Sequence, residues 1–166
     1  MKIERKMMAH YLDGSMTETP AYHLLGIDLE EFNVDMNPEF ESTKNILGAS
    51  NTQMKGYDPQ SSVSPYYANT GDGLFEKLQN IIDKRATGDD TSSTIIDVHM
   101  WEPVEGKTNT FVAYREDATI VINSYGGGTA GYQIEFDIKY NGNRTKGTFN
   151  TTTKAFTPDT PDTPQE

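Results

Sequence analysis

The chain has 166 residues, 34% of them hydrophobic, with 14 Lys and Arg against 25 Asp and Glu for a net charge of −11, and it has no cysteine. That is enough for one domain with a real core. Scattered cations exclude a phosphate-gripping surface, missing thiols exclude disulfides and thiolate zinc centres, and no segment nears the ~20 apolar residues of a membrane span.

Residues 1–19 are polar and read as an extended N-terminal arm or as disorder, with Asp13-Gly14-Ser15 as a turn. No apolar run follows the basic residues before Met8, so a secretion signal of the common type is not expected. A start at Met8 would make the first seven residues a translational extension. A single domain is expected over 20–156. Tyr22 and Leu24 begin it as a short strand, and Phe32, Val34 and Met36 alternate with Glu31, Asn33 and Asp35 as a half-buried strand. Asn37-Pro38 turns the chain, and Phe40 to Leu47 reads as the hairpin partner running back along it. Gly48 to Ala68 carries Tyr57, Tyr66 and Tyr67 in a Pro-, Gly- and Ser-rich stretch with one strand over 53–57, and is expected as a long excursion used for contact.

Residues 72–85 hold the one amphipathic helix. Leu74, Phe75, Leu78, Ile81 and Ile82 form its apolar stripe, with Glu76, Lys77, Gln79, Asn80 and Lys84 opposite. Asp72 is the expected N-cap, and Gly88 the left-handed residue that ends the element. A polar linker follows, then a strand over 94–101 with Ile96, Val98 and Met100 on one face and Trp101 near the surface. Phe111 to Tyr125 is the longest β candidate, broken at Arg115-Glu-Asp117 by a bulge. After the glycines at 126–128 and 131, Tyr132 to Tyr140 alternates cleanly, and Asn141-Gly142 predicts a hairpin into a last strand from Arg144. The Pro-Asp-Thr repeat over 157–166 is expected to be a disordered tail or linker stub. The fold class is mainly β with one α-helix, a β-sandwich or barrel-like domain.

Catalytic chemistry has no visible cast. His10, His23 and His99 lack any local metal-ligand spacing, His99 is expected to face solvent, and no Lys-Ser or Lys-Thr follows the glycine cluster. Asp89-Asp90 and Glu116-Asp117 read as solvated doublets, and no Gly-x-Ser-x-Gly element occurs. The chain is therefore expected not to be an enzyme and to use no metal or cofactor. A metal-dependent hydrolase built on His99 and nearby acids is the minor alternative.

Several stretches together carry a family likeness: Tyr22-His-Leu-Leu-Gly26, Asn45-Ile-Leu-Gly48, Tyr57-Asp-Pro-Gln60, Asp72-Gly-Leu-Phe-Glu-Lys-Leu78, Ala113-Tyr-Arg-Glu-Asp117, Ser124-Tyr-Gly126, and Gly131-Tyr-Gln-Ile134 through Tyr140-Asn-Gly-Asn143. They resemble the major tail proteins, or tail tube proteins, of long-tailed bacteriophages and prophages of Gram-positive bacteria. The resemblance implies a β-sandwich flanked by one helix, related in fold to the tubes of contractile tails and type VI secretion. It implies stacked, hexameric rings that conduct DNA without binding it, and contacts with other tail proteins such as tape measure and tail completion proteins. The expected place is the virion tail, after synthesis in the bacterial cytoplasm, with no membrane involved. In such a tube Glu31, Asn33, Asp35, Gln133, Glu135 and Asp137 would line the lumen, and Tyr57, Tyr66 and Tyr67 would lie between subunits. An acidic lining repels phosphate, which suits a conduit. The alternatives are a tube of a contractile or type VI-like device, or a non-catalytic β-sandwich module that recognises glycan or protein through Trp101 and the loop tyrosines.

Overall fold

Alternating apolar residues over most of the second half of the chain favour strands that bury one face, and one such sheet dominates the architecture. The computed structural model describes residues 1–159. In chain order the strands are β1 (Met8–Asp13), β2 (Tyr22–Leu24), β3 (Val34–Asp35), β4 (Pro38–Lys44), β5 (Ser50–Tyr57), β6 (Gln60–Tyr67), β7 (Ser92–Pro103), β8 (Thr110–Gly126), β9 (Gln133–Asn150) and β10 (Ala155–Pro158), with helix α1 (Gly73–Lys84) between β6 and β7. Eight strands form one sheet in the order β2-β1-β7-β8-β9-β6-β3, with β10 beside the far end of β9, and β4 and β5 form a separate ribbon. All pairings are antiparallel. The mainly-β expectation with one helix holds.

The sheet buries both faces, each at a different end. Leu12 and Ile95 join Ile120, Ile134, Phe136 and Ile138 under the helix, whereas their strand neighbours Tyr11 and Ile96 join Val98, Ala113 and Phe149 on the other side. Tyr11 and Phe149 lie on strands separated by two others, yet their ring centroids are 4.5 Å apart, so the sheet curls around this second cluster. The change of buried face happens inside the long β8–β9 pair. Arg115–Ala118 on β8 and Tyr140–Thr145 on β9 slip in register against each other. The expected bulge at Arg115–Asp117 is present. The expected hairpin at Asn141-Gly142 is not: Gly142 (φ 88°) and Asn143 (φ 57°) take left-handed conformations within an unbroken strand of 18 residues, and Asn143 donates to the Asp117 carboxylate at 3.1 Å. An Asn-Gly pair supplies the geometry for a turn or a bulge alike, and here continued pairing with β8 selects the bulge.

Helix α1 covers the first cluster with Leu74, Leu78, Ile81 and Ile82, and Phe75 meets the Tyr132 ring edge-on. Asp72 caps it, accepting from Leu74 N at 3.1 Å. The left-handed terminal residue is Arg85 (φ 51°), one position after the last helical residue, and Gly88 instead opens a short 3-10 turn. Lys77, expected on the polar face, is buried and reaches Asp13 O at 3.4 Å, because it stacks one turn after Leu74 and one before Ile81. Burial pushes its pKa down, opposed by Asp13.

Four further expectations change. Residues 1–19 are not an arm: β1 lies between β2 and β7 with Ala9, His10, Tyr11 and Leu12 buried. Its large apolar residues, Met8, Tyr11 and Leu12, do not alternate, so the polar flanks hid it. Phe40–Leu47 does not pair with the strand before it, since β4 pairs with β5. Gly48–Ala68 is not one excursion but β5 and β6, joined at Asp58-Pro59. Of the expected tail, Thr157 and Pro158 belong to β10, and 160–166 lie outside the described residues. Gly147 admits β10, because a Cβ there would strike Thr157 O and come within 2.9 Å of Pro158 Cα. Among the described residues, no helix is long and apolar enough to cross a membrane.

Candidate functional site

Two surfaces stand out. The first is the β4–β5 ribbon, an arm of two mostly polar strands joined by the turn Asn45-Ile-Leu-Gly-Ala49. Asn45 closes the turn, its side chain accepting from Leu47 N and Ala49 N at 3.0 Å each. The arm's base is fixed where Asn37 Nδ2 donates to Asp58 O at 3.0 Å and Asp58 N bonds back to Met36 O. Between base and tip nothing covers it: every residue from 38 to 57 is exposed except Gly56, which is half-buried. Phe40 is 65% exposed, and at the tip Leu47 is 86% exposed and Ile46 wholly so. A two-stranded hairpin is marginal by itself in water, and an apolar tip left exposed is unusual on a surface. Lys44 is the one charged residue from 42 to 52.

The second surface is the face of β3, β6 and β9 that points away from the helix. Asp35 lies opposite Gln60, Gln60 opposite Lys139, and Ser62 opposite Asp137, so strand alternation puts these side chains together. Ser62 donates to Asp137 at 2.6 Å, and Glu135 accepts from Ser64 at 3.0 Å and from Ser124 at 3.3 Å. Glu31, Asn33 and Asp35 line a shallow groove with Ser62, Ser64 and Tyr67, and Asn33 Nδ2 donates to Glu31 at 2.6 Å. Gln133 is half-buried on the same face, opposite Tyr67 and Gly126. The structure thus brings together all six residues proposed from sequence for the lumen, although 31–35 joins the sheet only as a two-residue strand rather than a hairpin. Asp28 and Glu30, missed in the sequence, add two more carboxylates to the groove. Their adjacency to Glu31 in an acidic run was the available signal.

The three tyrosines do not share a surface. Tyr57 is exposed at the end of β5, whereas Tyr66 and Tyr67 end β6, a full strand away. Tyr66 packs inward: its ring meets Phe136 edge-on, and its hydroxyl donates to Asp72, so burial first and that carboxylate second push its pKa up.

The histidines are also separated. His10 bonds Asp97 at 2.8 Å, His23 lies 3.4 Å from Asp72, and His99 stacks on Trp101 with centroids 4.5 Å apart, so it is half-buried rather than turned to solvent. Among the described residues, no group of three or more His, Cys, Asp or Glu is arranged to hold a metal. Asp97 and Glu116 are both buried, and Arg144 bridges them at 3.4 and 3.2 Å while its guanidinium lies 4.7 Å from the Tyr114 ring centroid. The Glu116-Asp117 doublet, read as solvated, is therefore split: Glu116 sits in this cluster, and Asp117 receives Asn143. No known family model matches the chain, and no curated protein sequence matches it.

Proposed function

We propose that the protein is a structural, non-catalytic subunit that self-assembles into stacked rings forming a bacteriophage-type tail tube, without cofactor. The observation that carries the proposal is the uncovered arm: an ordered ribbon whose apolar tip, Ile46 and Leu47, has no contact within its own chain that removes it from water. A patch of that kind on one copy, seated away from itself on the next, makes a heterologous contact, and heterologous contacts generate rings and open stacks. The acidic face supports the same reading. In a ring it repeats once per subunit, and a repeated carboxylate lining lets a polyanion pass without counterion-release affinity. The likeness over residues 22–143 adds the specific form, a tail tube in the virion with tape measure and completion proteins as neighbours.

Negative-stain electron microscopy of the purified full chain tests this. Rings or tubes with an open channel are the expected result. Particles of single-subunit size at every concentration would favour the second reading, a β-rich module whose arm engages a different protein. Within assembled tubes, Glu135→Lys with Asp137→Lys is expected to add DNA binding that weakens steeply with salt.

A further inference from the structure

Arg5 lies in the 3-10 turn Arg5–Met7 that precedes β1, and it engages three acceptors at once. Nη1 donates to Met8 O at 2.6 Å, and Nη2 donates to Phe32 O at 3.0 Å and lies 3.2 Å from His10 Nε2. A guanidinium carries donors only, so His10 Nε2 presents its lone pair in this contact. The ring proton therefore sits on Nδ1 and is donated to Asp97 Oδ1 at 2.8 Å. A neutral imidazole of one defined tautomer joins the N-terminal turn to β7. Through Arg5 it also joins the crossover from β2 to β3, whose Phe32 ring centroid is 4.7 Å from that of His10.

We propose that His10 is an acid-sensitive latch on this crossover. Protonation at Nε2 replaces an acceptor facing Arg5 with a donor, and places two cations in contact. Arg5 must then withdraw, and the Phe32 carbonyl that it holds is released, while the bond from Nδ1 to Asp97 is kept.

The charges that face the ring are Arg5 from the turn and Asp97 from β7. Arg144 from β9 shares Asp97 with the histidine and also engages Glu116 from β8. Lys6 from the turn and Glu30 and Glu31 from the crossover line the cavity beside the ring. Apart from Phe32, the crossover is anchored by buried Leu25, by half-buried Leu29 packed against the first cluster, and by Leu25 N bonding to His10 O at 2.9 Å. It carries Glu31 and Asn33 and leads into Asp35, so the latch governs the order of half of the acidic face. This holds whether or not the chain builds a tube.

Deuterium exchange of the full chain, read by mass spectrometry from about pH 8 to about pH 5 and corrected for intrinsic exchange, tests the latch. Protection over 25–36 is expected to fall roughly tenfold or more at the acid end, the order lost with one charge-assisted hydrogen bond, while β7 keeps its protection. His10→Gln accepts from Arg5 through its carbonyl and donates to Asp97 through its amide, so its protection is expected to stay flat with pH. An equal fall in His10→Gln, or no fall in the unaltered chain, would overturn the proposal. The ring itself supplies a reading independent of any variant. In the histidine-15N-labelled protein at about pH 8, a protonated Nδ1 and bare Nε2 are expected, and a proton on Nε2 would overturn the tautomer on which the latch depends.

Discussion

The β8–β9 pair and the β4–β5 pair are both antiparallel ribbons, and they differ in what lies over them. Along β8 and β9, Ile120, Ile134, Phe136 and Ile138 are buried by the helix side, and beyond the bulges Ala113 and Phe149 are buried on the other. Along β4 and β5 no side chain is buried at all. Ladder hydrogen bonds are common to both, and each contributes only ~1 kcal/mol net, so the difference in cover decides the difference in stability. In the proposed assembly a neighbouring copy would supply the cover that the arm lacks, seated on its exposed apolar tip.

Deleting cover from the first ribbon should show the largest effect. Phe136→Ala is expected to cost about 3–5 kcal/mol, and Leu78→Ala on the covering helix about 2–5 kcal/mol, read as a midpoint shift in denaturant. Phe40→Ala on the arm should barely move the same midpoint. A comparable loss at Phe40 would mean the arm is part of the subunit's own folding unit.

Arg144→Met comes next. It strands buried Glu116 and leaves buried Asp97 with His10 as its remaining partner, at the place where β8 and β9 change their buried face, and should cost about 3 kcal/mol at neutral pH. Recovery of much of that loss in Arg144→Met with Glu116→Gln would assign it to the stranded charge rather than to lost packing on Tyr114.

Lys77→Met is expected to be neutral or to stabilise by about 1 kcal/mol. Burial holds the folded Lys77 pKa below its unfolded value. Between the two values the unfolded chain binds more protons, so this group makes stability rise as pH climbs from the folded value to the ordinary lysine range near ~10.4. The methionine variant should lose that alkaline rise in a pH series of denaturant titrations, and an unchanged rise would place its source elsewhere.

The smallest stability effect is expected from Ile46→Ser with Leu47→Ser, within about 0.5 kcal/mol for the free subunit because neither residue is buried. Assembly, followed by sedimentation, should nevertheless be lost.

Period was the part of the fold most legible in the sequence. The stripe of α1, the alternation of Tyr132–Tyr140 and the interruption at Arg115–Asp117 each report local geometry, and each appears where expected. Partner choice was not legible. Phe40–Leu47 carries the same pattern whether it pairs upstream or downstream, and Asn141-Gly142 serves a hairpin or a bulge equally well. The strand β1 was hidden because it is only six residues long, and a buried histidine paired with Asp97 looks polar in a one-dimensional pattern. Lys77 was misassigned for a related reason: a long aliphatic stem is buried readily when its amine finds a carbonyl. The acidic face could be read because alternation alone sends Glu135 and Asp137 away from Phe136. That Glu31 and Asp35 share this face depended on β3 pairing with β6, a contact between distant stretches that no local pattern announces.

Hydrogen exchange of the arm across a concentration series tests the central claim most directly. Amides of 38–57 are expected to exchange fast in the dilute chain and to gain strong protection as assemblies form, while those of 133–140 stay protected throughout. Equal protection of the arm at every concentration, with no assembly detected, would contradict the claim that copies of this chain cover it.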